Sequence, residues 1–450
     1  MKSLKFIVLA VLCTIAHGLT AQEVLTLDSC LSYAKQRNCT IQSAQLEVEI
    51  SRELKKQMLW LYFPQVGLSG FAFGAAKHMI ELDVRNLSNS TDMRDFLAEL
   101  FNIAQSEDPN VDPIIRKVRW GVSAQAQAVQ PLFWGGQIVN ANRLAKLGID
   151  VSQLRGEISQ RDVLQEVTEY YWLISGLQEK QATVDTVVAL LDTIDEVANV
   201  AFNNGLVTRN DLLRVQLKKN EIETQALKLE NGIELASRML CHMIGIEYTE
   251  PLVLEKMEEE DTNVIPSVPS ENSAQGRPEY QLLDANIRFN QLMKKLTLGE
   301  ALPHLAIGLS GGYTNFLERD KWNGLAFVTL SIPLTQWGQT AHQLRQQNLR
   351  IKQAQLMQQD FGAKLNLQNR QVYNTMIEAA KLAEQHKAAA DLAKDNYNLA
   401  LMNYTAGVAT MSELLEAEAL YMQAHNALTD ARINYRTALR KYNNYTQQHK

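Results

Sequence analysis

The feature that most restricts the fold of this 450-residue chain is a duplicated set of turn residues. The segment Pro131–Gln137 (PLFWGGQ) returns 202 positions later as Pro333–Gln339 (PLTQWGQ). At the same offset, Phe202–Thr208 (FNNGLVT) aligns with Tyr404–Thr410 (YTAGVAT). Self-similarity at a fixed spacing indicates a repeated architecture, so the chain is predicted to contain two tandem copies of one structural unit.

The repeat predicts how the chain is divided. We assign residues 22–250 to the first unit and 277–450 to the second, joined by an acidic, proline-containing linker at 251–276. Residues 1–21 are typical of a secretion signal, because the basic residues Lys2 and Lys5 precede a short apolar run that ends before Leu19-Thr20-Ala21. The mature chain is therefore expected to be exported.

Two proline-free stretches predict very long helices. None of the ten prolines lies between Pro131 and Pro251, or after Pro333. These stretches are rich in Ala, Leu, Gln, Glu and Lys, which favour the helix interiors that proline breaks. We predict helices over 138–203 and 340–405, each roughly 100 Å long at 1.5 Å per residue. Helices of that length need coiled-coil partners, and an alanine-rich heptad stripe from Met376 to Tyr404 is the expected seam.

Alternating segments next to the prolines predict membrane strands. From Val118 to Ala128 apolar and polar residues alternate, which gives a strand one apolar and one polar face. We place strands at about 65–75 and 117–130, with an extracellular loop at 76–116, and at about 304–314 and 322–333. Trp120 and Trp322 hold equivalent positions near the outer strand ends, where membrane-interface aromatics lie. A soluble sandwich sheet is the alternative interpretation of these strands.

The mature sequence contains no stretch apolar enough for a transmembrane helix, so an exported chain of this kind can cross a membrane only as strands. Four strands cannot close a barrel, and membrane barrels have roughly eight strands or more. Several copies must then combine. The residues alone predict a mainly α protein with a small β part, assembled into an oligomer with a composite β-barrel and a long helical barrel or coiled coil.

Charge and motifs exclude several function classes. The formal charge is -6 with no basic block, which argues against nucleic acid as a partner. We find no Walker loop, no Gly-x-Ser-x-Gly, no His-Glu-x-x-His and no Cys-x-x-Cys, so we expect neither an enzyme nor a metal or cofactor. The mature chain keeps Cys30, Cys39 and Cys241, an odd number, and we interpret all three as packing residues on helices.

The duplicated Pro-Leu hairpin ends and the two Gly-x-x-Thr-x-x-(Asp/Glu)-Leu-Leu turns resemble the TolC-like outer-membrane efflux proteins. The resemblance covers essentially all of residues 23–450. It implies a homotrimer in which twelve strands form an outer-membrane β-barrel, continuous with a periplasmic α-barrel of twelve helices. It also implies a passive conduit for efflux or type I secretion, supplied by a periplasmic adaptor protein and an inner-membrane transporter and surrounded by outer-membrane lipid.

The resemblance implies site residues at both helical turns. Glycine accepts a left-handed helix end and threonine caps the returning helix, so these tips are expected to reverse the chain and meet the adaptor. The tip residues are Gly205, Leu206, Thr208, Gly407, Val408 and Thr410. The implied periplasmic aperture gate consists of Glu413, Glu416, Tyr404, Asp211 and Arg209.

One departure from the family pattern concerns that gate. A well-studied member has a basic residue where this chain has Ala409, so the corresponding closing ion pair is missing, and Arg209 is the candidate substitute. We expect copies of Glu413 and Glu416 to repel at a narrow aperture and to raise one another's pKa. The alternative is that both are ordinary acids at a helix N-terminus, which the helix dipole favours.

A second function class fits an exported, helix-rich chain. A coiled-coil scaffold without a pore would need the long helices but would have no use for four membrane-length strands with matching tryptophans. A general passive porin is disfavoured by the length of the helices. We therefore predict an export conduit, with the scaffold as the alternative.

Overall fold

The computed structural model describes residues 24–83, 114–117, 119–205, 207–249, 251–255, 268–269, 273–316 and 319–446. The predicted secretion signal, most of the predicted extracellular loop and most of the linker lie outside these residues, as does Leu206.

Long helices make up most of the described chain, and none of them is long and apolar enough to cross a membrane. The helices predicted over 138–203 and 340–405 are confirmed as elements of 67 and 69 residues. Both run without a break because no proline interrupts them. The described helices are α1 Leu27–Arg37, α2 Cys39–Leu59, α3 Gln137–Asn203, α4 Arg209–Ile244, α5 Pro278–Glu300, α6 Trp337–Thr405 and α7 Met411–Thr446.

The strands form one four-stranded antiparallel sheet and one separate pair. The strands are β1 Gln65–Gly74, β2 Ile80–Asp83, β3 Ile114–Lys117, β4 Trp120–Trp134, β5 His304–Phe316 and β6 Arg319–Ser331. The larger sheet has the order β1-β4-β5-β6, so β4 and β5 pair directly although they are distant in sequence. The pair of β2 with β3 lies at the two ends of the segment that we predicted to be an extracellular loop.

The observed β4 extends past Pro131, where the prediction ended a strand. Its pairing with β5 shifts register between Pro131 and Phe133. A bulge of this kind tolerates proline, because the missing N–H falls where the ladder is already interrupted. At the other side of the hairpin, β6 ends at Ser331 and a 3-10 turn at Leu334–Gln336 leads into α6.

The described chain contains two compact units. The described residues within Met1–Ile50, Asp150–Ala285 and Ala354–Lys450 form one unit, which includes both turns between long helices. The other comprises Ser51–Ile149 and Asn286–Gln353, and it includes the four-stranded sheet.

In the helical unit, the stripe predicted as a seam packs within the chain itself. Met376, Ala379 and Ala383 of α6 are buried against α7, where they meet Ala431 and Tyr435. Alanine at these positions lets the two backbones approach closely. This part of the stripe therefore has its packing partner within its own protomer.

All four long helices meet in one cluster close to the turns. Ile194 of α3, Val215 of α4 and Leu414 of α7 are buried there, with Tyr404 of α6 packed against them. Their burial removes apolar area from water and holds both turns at the same end of the helical unit.

Candidate functional site

The first helical turn joins α3 to α4 and has the predicted caps. Gly205 has φ +72°, a left-handed conformation, and its N–H donates to the Phe202 carbonyl at 2.9 Å. Thr208 caps α4: its Oγ1 accepts from the Asp211 N–H at 3.3 Å, and its own N–H donates to the Asp211 carboxylate at 3.2 Å. These reciprocal bonds satisfy donors that a helix N-terminus would otherwise leave unpaired.

The second turn, from α6 to α7, repeats this arrangement. Gly407 has φ +75°, and its N–H donates to the Tyr404 carbonyl at 3.0 Å. Thr410 Oγ1 accepts from the Glu413 N–H at 3.3 Å, and the Thr410 N–H donates to Glu413 Oε2 at 2.7 Å. The same capping geometry in both turns explains why this sequence pattern occurs twice.

The caps change the expectation for two acids of the gate. The Thr410 backbone N–H, and then its hydroxyl, hold the pKa of Glu413 below its ordinary value. The Thr208 hydroxyl, and then its N–H, do the same for Asp211. Within one chain, Glu413 is thus a capping acid, and its pKa shift is opposite to the one expected of repelling copies. Glu416 is exposed one turn later on α7.

Tyr404 and Asp211, two of the residues predicted to form the gate, are close enough to interact across the two turns. Tyr404 is partly buried, and its pKa is raised by that burial first and by the negative charge of Asp211 second. Arg209 is exposed and forms no ion pair with any residue that the structure describes. The basic side chain that crosses from one turn to the other is Arg214, whose Nη1 donates to Ser412 Oγ at 2.9 Å.

The tip residues that the structure describes are accessible. Val408 is 79% exposed, and Gly205, Thr208, Gly407 and Thr410 are exposed as well. Leu206 lies outside the described residues.

Sequence reasoning missed a buried ion pair above the turns. Glu418 of α7 is 2% exposed, and Lys218 Nζ of α4 lies 3.6 Å from its Oε2. A signal was present, because Glu418 falls in the helical series Met411, Leu414, Glu418, Met422, whose other three members are buried and apolar. A charge in such a series predicts a buried charge with a partner.

In the sheet, the two predicted interface tryptophans are exposed. Trp120 is 51% exposed and pairs with Gly74, whereas Trp322 is 81% exposed and pairs with Tyr313, whose ring lies 5.7 Å away. A second aromatic set near the opposite strand ends was missed, although its members stand beside the prolines that mark those ends. These exposed residues are Trp60, Phe63, Trp134 and Trp337.

The described residues contain no group of three His, Cys, Asp or Glu side chains able to hold a metal ion. Cys30 and Cys241 are buried and Cys39 is exposed, and all three are free thiols. Burial raises the pKa of Cys30 to about 12, so this thiol stays protonated and unreactive.

Comparison with known proteins identifies similar sequences and folds. Residues 297–443 match the family described as outer membrane efflux protein. The alkaline protease secretion protein AprF of Pseudomonas aeruginosa is 24% identical over 250 residues, which are 53% of this chain and 51% of that protein. The match therefore spans about half the length of this curated relative.

Solved outer-membrane channels share the fold at low identity. The Campylobacter jejuni channel CmeC has a TM-score of 0.74 at 13% identity, covering 94% of this chain and 85% of CmeC. Vibrio cholerae VceC has a TM-score of 0.70 at 14% identity, covering 93% of this chain and 95% of VceC. Part of the second half of the chain thus matches the outer membrane efflux protein family, and the chain shares its fold with solved outer-membrane channels.

Proposed function

We propose that this protein is the outer-membrane channel of a tripartite efflux or type I secretion system, and that it conducts substrates passively from an adaptor and an inner-membrane transporter to the exterior. The observation that carries this proposal is the four-stranded sheet, which has one apolar, exposed face shared by all of its strands.

The strand register places the apolar residues on one face. Val66 pairs with Ala128, Ala128 with Leu309, and Leu309 with Ala326, so this apolar row crosses all four strands. Directly paired residues lie on the same face of a sheet. On that face Leu68 is 82% exposed and Val328 is 70% exposed. Lipid is the environment that such a face suits, with Trp120 and Trp322 at its outer interface.

The sheet edges support a homotrimer. In the order β1-β4-β5-β6, the strands β1 and β6 are paired on one side only within the sheet. Unpaired strand edges are not tolerated in lipid. Joining β6 of one copy to β1 of the next closes a barrel, and three copies of four strands make the twelve-stranded barrel of the family, with the long helices as the periplasmic α-barrel.

The helical turns are proposed to be the periplasmic aperture and its docking surface. Copies of Glu413 and Glu416 would form an acidic ring, with Tyr404, Asp211 and Arg209 holding neighbouring helices together in the closed state. The support is that one chain brings Tyr404 within electrostatic reach of Asp211. The exposed tip around Gly205, Thr208, Gly407, Val408 and Thr410 would meet the adaptor, together with Leu206.

Single-channel recording in planar bilayers tests the conduit and the ring together. The unaltered protein is expected to form cation-preferring channels that multivalent cations block. Glu413→Gln with Glu416→Gln should weaken the cation preference and relieve the block, because the charges that attract cations are removed. Gln at 413 keeps an acceptor for the capping box, so the fold should persist.

The matched control is Glu230→Gln with Glu234→Gln, which removes the same charge from exposed positions of α4 far along the chain from its turn. It should leave both channel properties unchanged. Unchanged selectivity and block in the Glu413/Glu416 variant would refute the ring and leave the conduit standing. Membrane-inserted trimers without any conductance would instead support the pore-free scaffold.

A further inference from the structure

A buried carboxylate without hydrogen bonds lies between α4 and α7, the helices that follow the two turns. Glu418 of α7 is 2% exposed, and neither of its carboxylate oxygens has a hydrogen-bond partner among the residues that the structure describes. The nearest cation is Lys218 of α4, whose Nζ is 3.6 Å from Oε2, just beyond hydrogen-bonding distance. Lys218 itself is only 16% exposed.

Few other ionisable groups face this carboxylate. From α4 these are Lys218 and Glu221, and Lys218 Nζ is 3.5 Å from the half-exposed Glu221. From α6 it is Tyr397, whose ring stacks on Tyr421 of α7 with centroids 5.5 Å apart. Buried apolar residues, Leu414 and Met422, lie one turn away on either side along α7. Lys218 is therefore the one cation that compensates Glu418 at close range among the described residues.

We propose that Glu418 is a charge-dependent latch of the aperture. It allows α7 of the second repeat to stay packed on α4 of the first only while its charge is balanced by Lys218 or removed by a proton. This inference rests on the proposed channel function, because it assigns the α4–α7 contact to the closed state.

The physical basis is the cost of an unpaired buried charge. An ionised carboxylate held away from water without hydrogen bonds strongly destabilises the packed state. Moving α7 away from α4 would let water reach the carboxylate and relieve that cost. A neutral side chain at 418 carries no such penalty, so the effect of removing Lys218 must depend on the charge at 418.

Channel recordings on the full-length protein in planar bilayers test this latch. Lys218→Met leaves the Glu418 charge uncompensated, so open probability should rise at least about tenfold, as expected when one partner of a buried pair is removed. Lys218→Met combined with Glu418→Gln should return it to the unaltered value. Lys218→Gln replaces Lys218→Met, with the same criterion, if the methionine variant fails to assemble.

Lys219 offers a matched control. Its Nζ is 2.5 Å from Asp192 Oδ1 of α3, so this neighbouring ion pair lies within the first repeat and does not reach α7. Lys219→Met should leave the open probability unchanged. The proposed latch would be refuted if Lys218→Met left the open probability unchanged, or if the double variant kept a raised open probability.

Acidification adds an independent measurement. In Lys218→Met, lowering the pH protonates Glu418 and should close the channel again, whereas the double variant should lack this response. Both proteins keep Glu413 and Glu416, so any effect of the proposed acidic ring is common to both. Identical pH profiles would contradict the proposal. An unaltered protein that forms no channel at all would refute the proposed function instead.

Discussion

Two carboxylates on α7, five residues apart, have pKa values shifted in opposite directions. Hydrogen bonds from Thr410 lower the pKa of Glu413, because they stabilise the charged form. Burial raises the pKa of Glu418, and the nearby Lys218 only partly offsets that effect. The stability contribution of Glu413 is therefore present above its unfolded-state pKa and is lost as the pH falls through the folded value. That of Glu418 is present below its unfolded-state pKa and is lost as the pH rises through the folded value.

Thermal unfolding of the detergent-solubilised oligomer, measured between about pH 3 and pH 8, should detect the two opposite pH dependences of stability. Relative to Glu413→Gln, the unaltered protein should lose stability as the pH falls. Relative to Glu418→Gln, it should gain stability as the pH falls. Curves that run parallel for the three proteins would contradict these pKa assignments.

The turns between long helices depend on two glycines with positive φ. A Cβ added at Gly205 or Gly407 would meet no atom within 4 Å, so neither glycine is required by crowding within the chain. What they provide is a left-handed conformation that other residues adopt only at a cost. Each of the two long helices therefore ends next to a glycine whose left-handed backbone conformation cannot continue a right-handed helix.

Gly407→Ala should destabilise the α6–α7 turn by about 1–2 kcal/mol. Gly232→Ala is the matched control, because Gly232 lies inside α4 and its added Cβ would make an ordinary contact with Leu177 at 3.8 Å. It should instead stabilise the helix by about 0.5–1 kcal/mol. Hydrogen exchange of the amides flanking each site measures both effects. Faster exchange at both sites, or at neither, would argue against the conformational explanation.

At the scale of the whole molecule, assembly and docking should be separable. The strand edges belong to the proposed trimer contact, and the apolar sheet face belongs to the proposed lipid surface. Val408, in contrast, is exposed in the turn between α6 and α7. A bulky residue at 408 should obstruct the adaptor without disturbing the strands.

Val408→Trp should therefore abolish export in cells, while native mass spectrometry still finds three copies. Val408→Ala, which removes bulk, is the control and should export normally. Normal export by the tryptophan variant would refute the docking role of this tip. A folded, soluble monomer in detergent-free buffer would contradict the proposed trimer, because its strand edges and apolar sheet face would be open to water.

Local interactions made much of this protein predictable. The two long helices follow from the absence of proline, and the turns follow from a glycine that accepts positive φ and a threonine three residues later that caps the next helix. The alternating segments likewise predicted the strands and the face that each presents. Hydrogen bonds between residues a few positions apart determine these elements, so short stretches of sequence contain the information.

Tertiary structure decided which distant segments meet. The pairing of β4 with β5, the packing of the Met376 stripe on α7 and the pair of Lys218 with Glu418 join residues far apart along the chain. Glu413 caps its own helix through a local contact with Thr410, whereas only the packed fold decided that Glu418, five residues later, is buried. Both are glutamates on one helix. Their pKa values differ because Glu413 accepts hydrogen bonds from Thr410, whereas the carboxylate of Glu418 is buried.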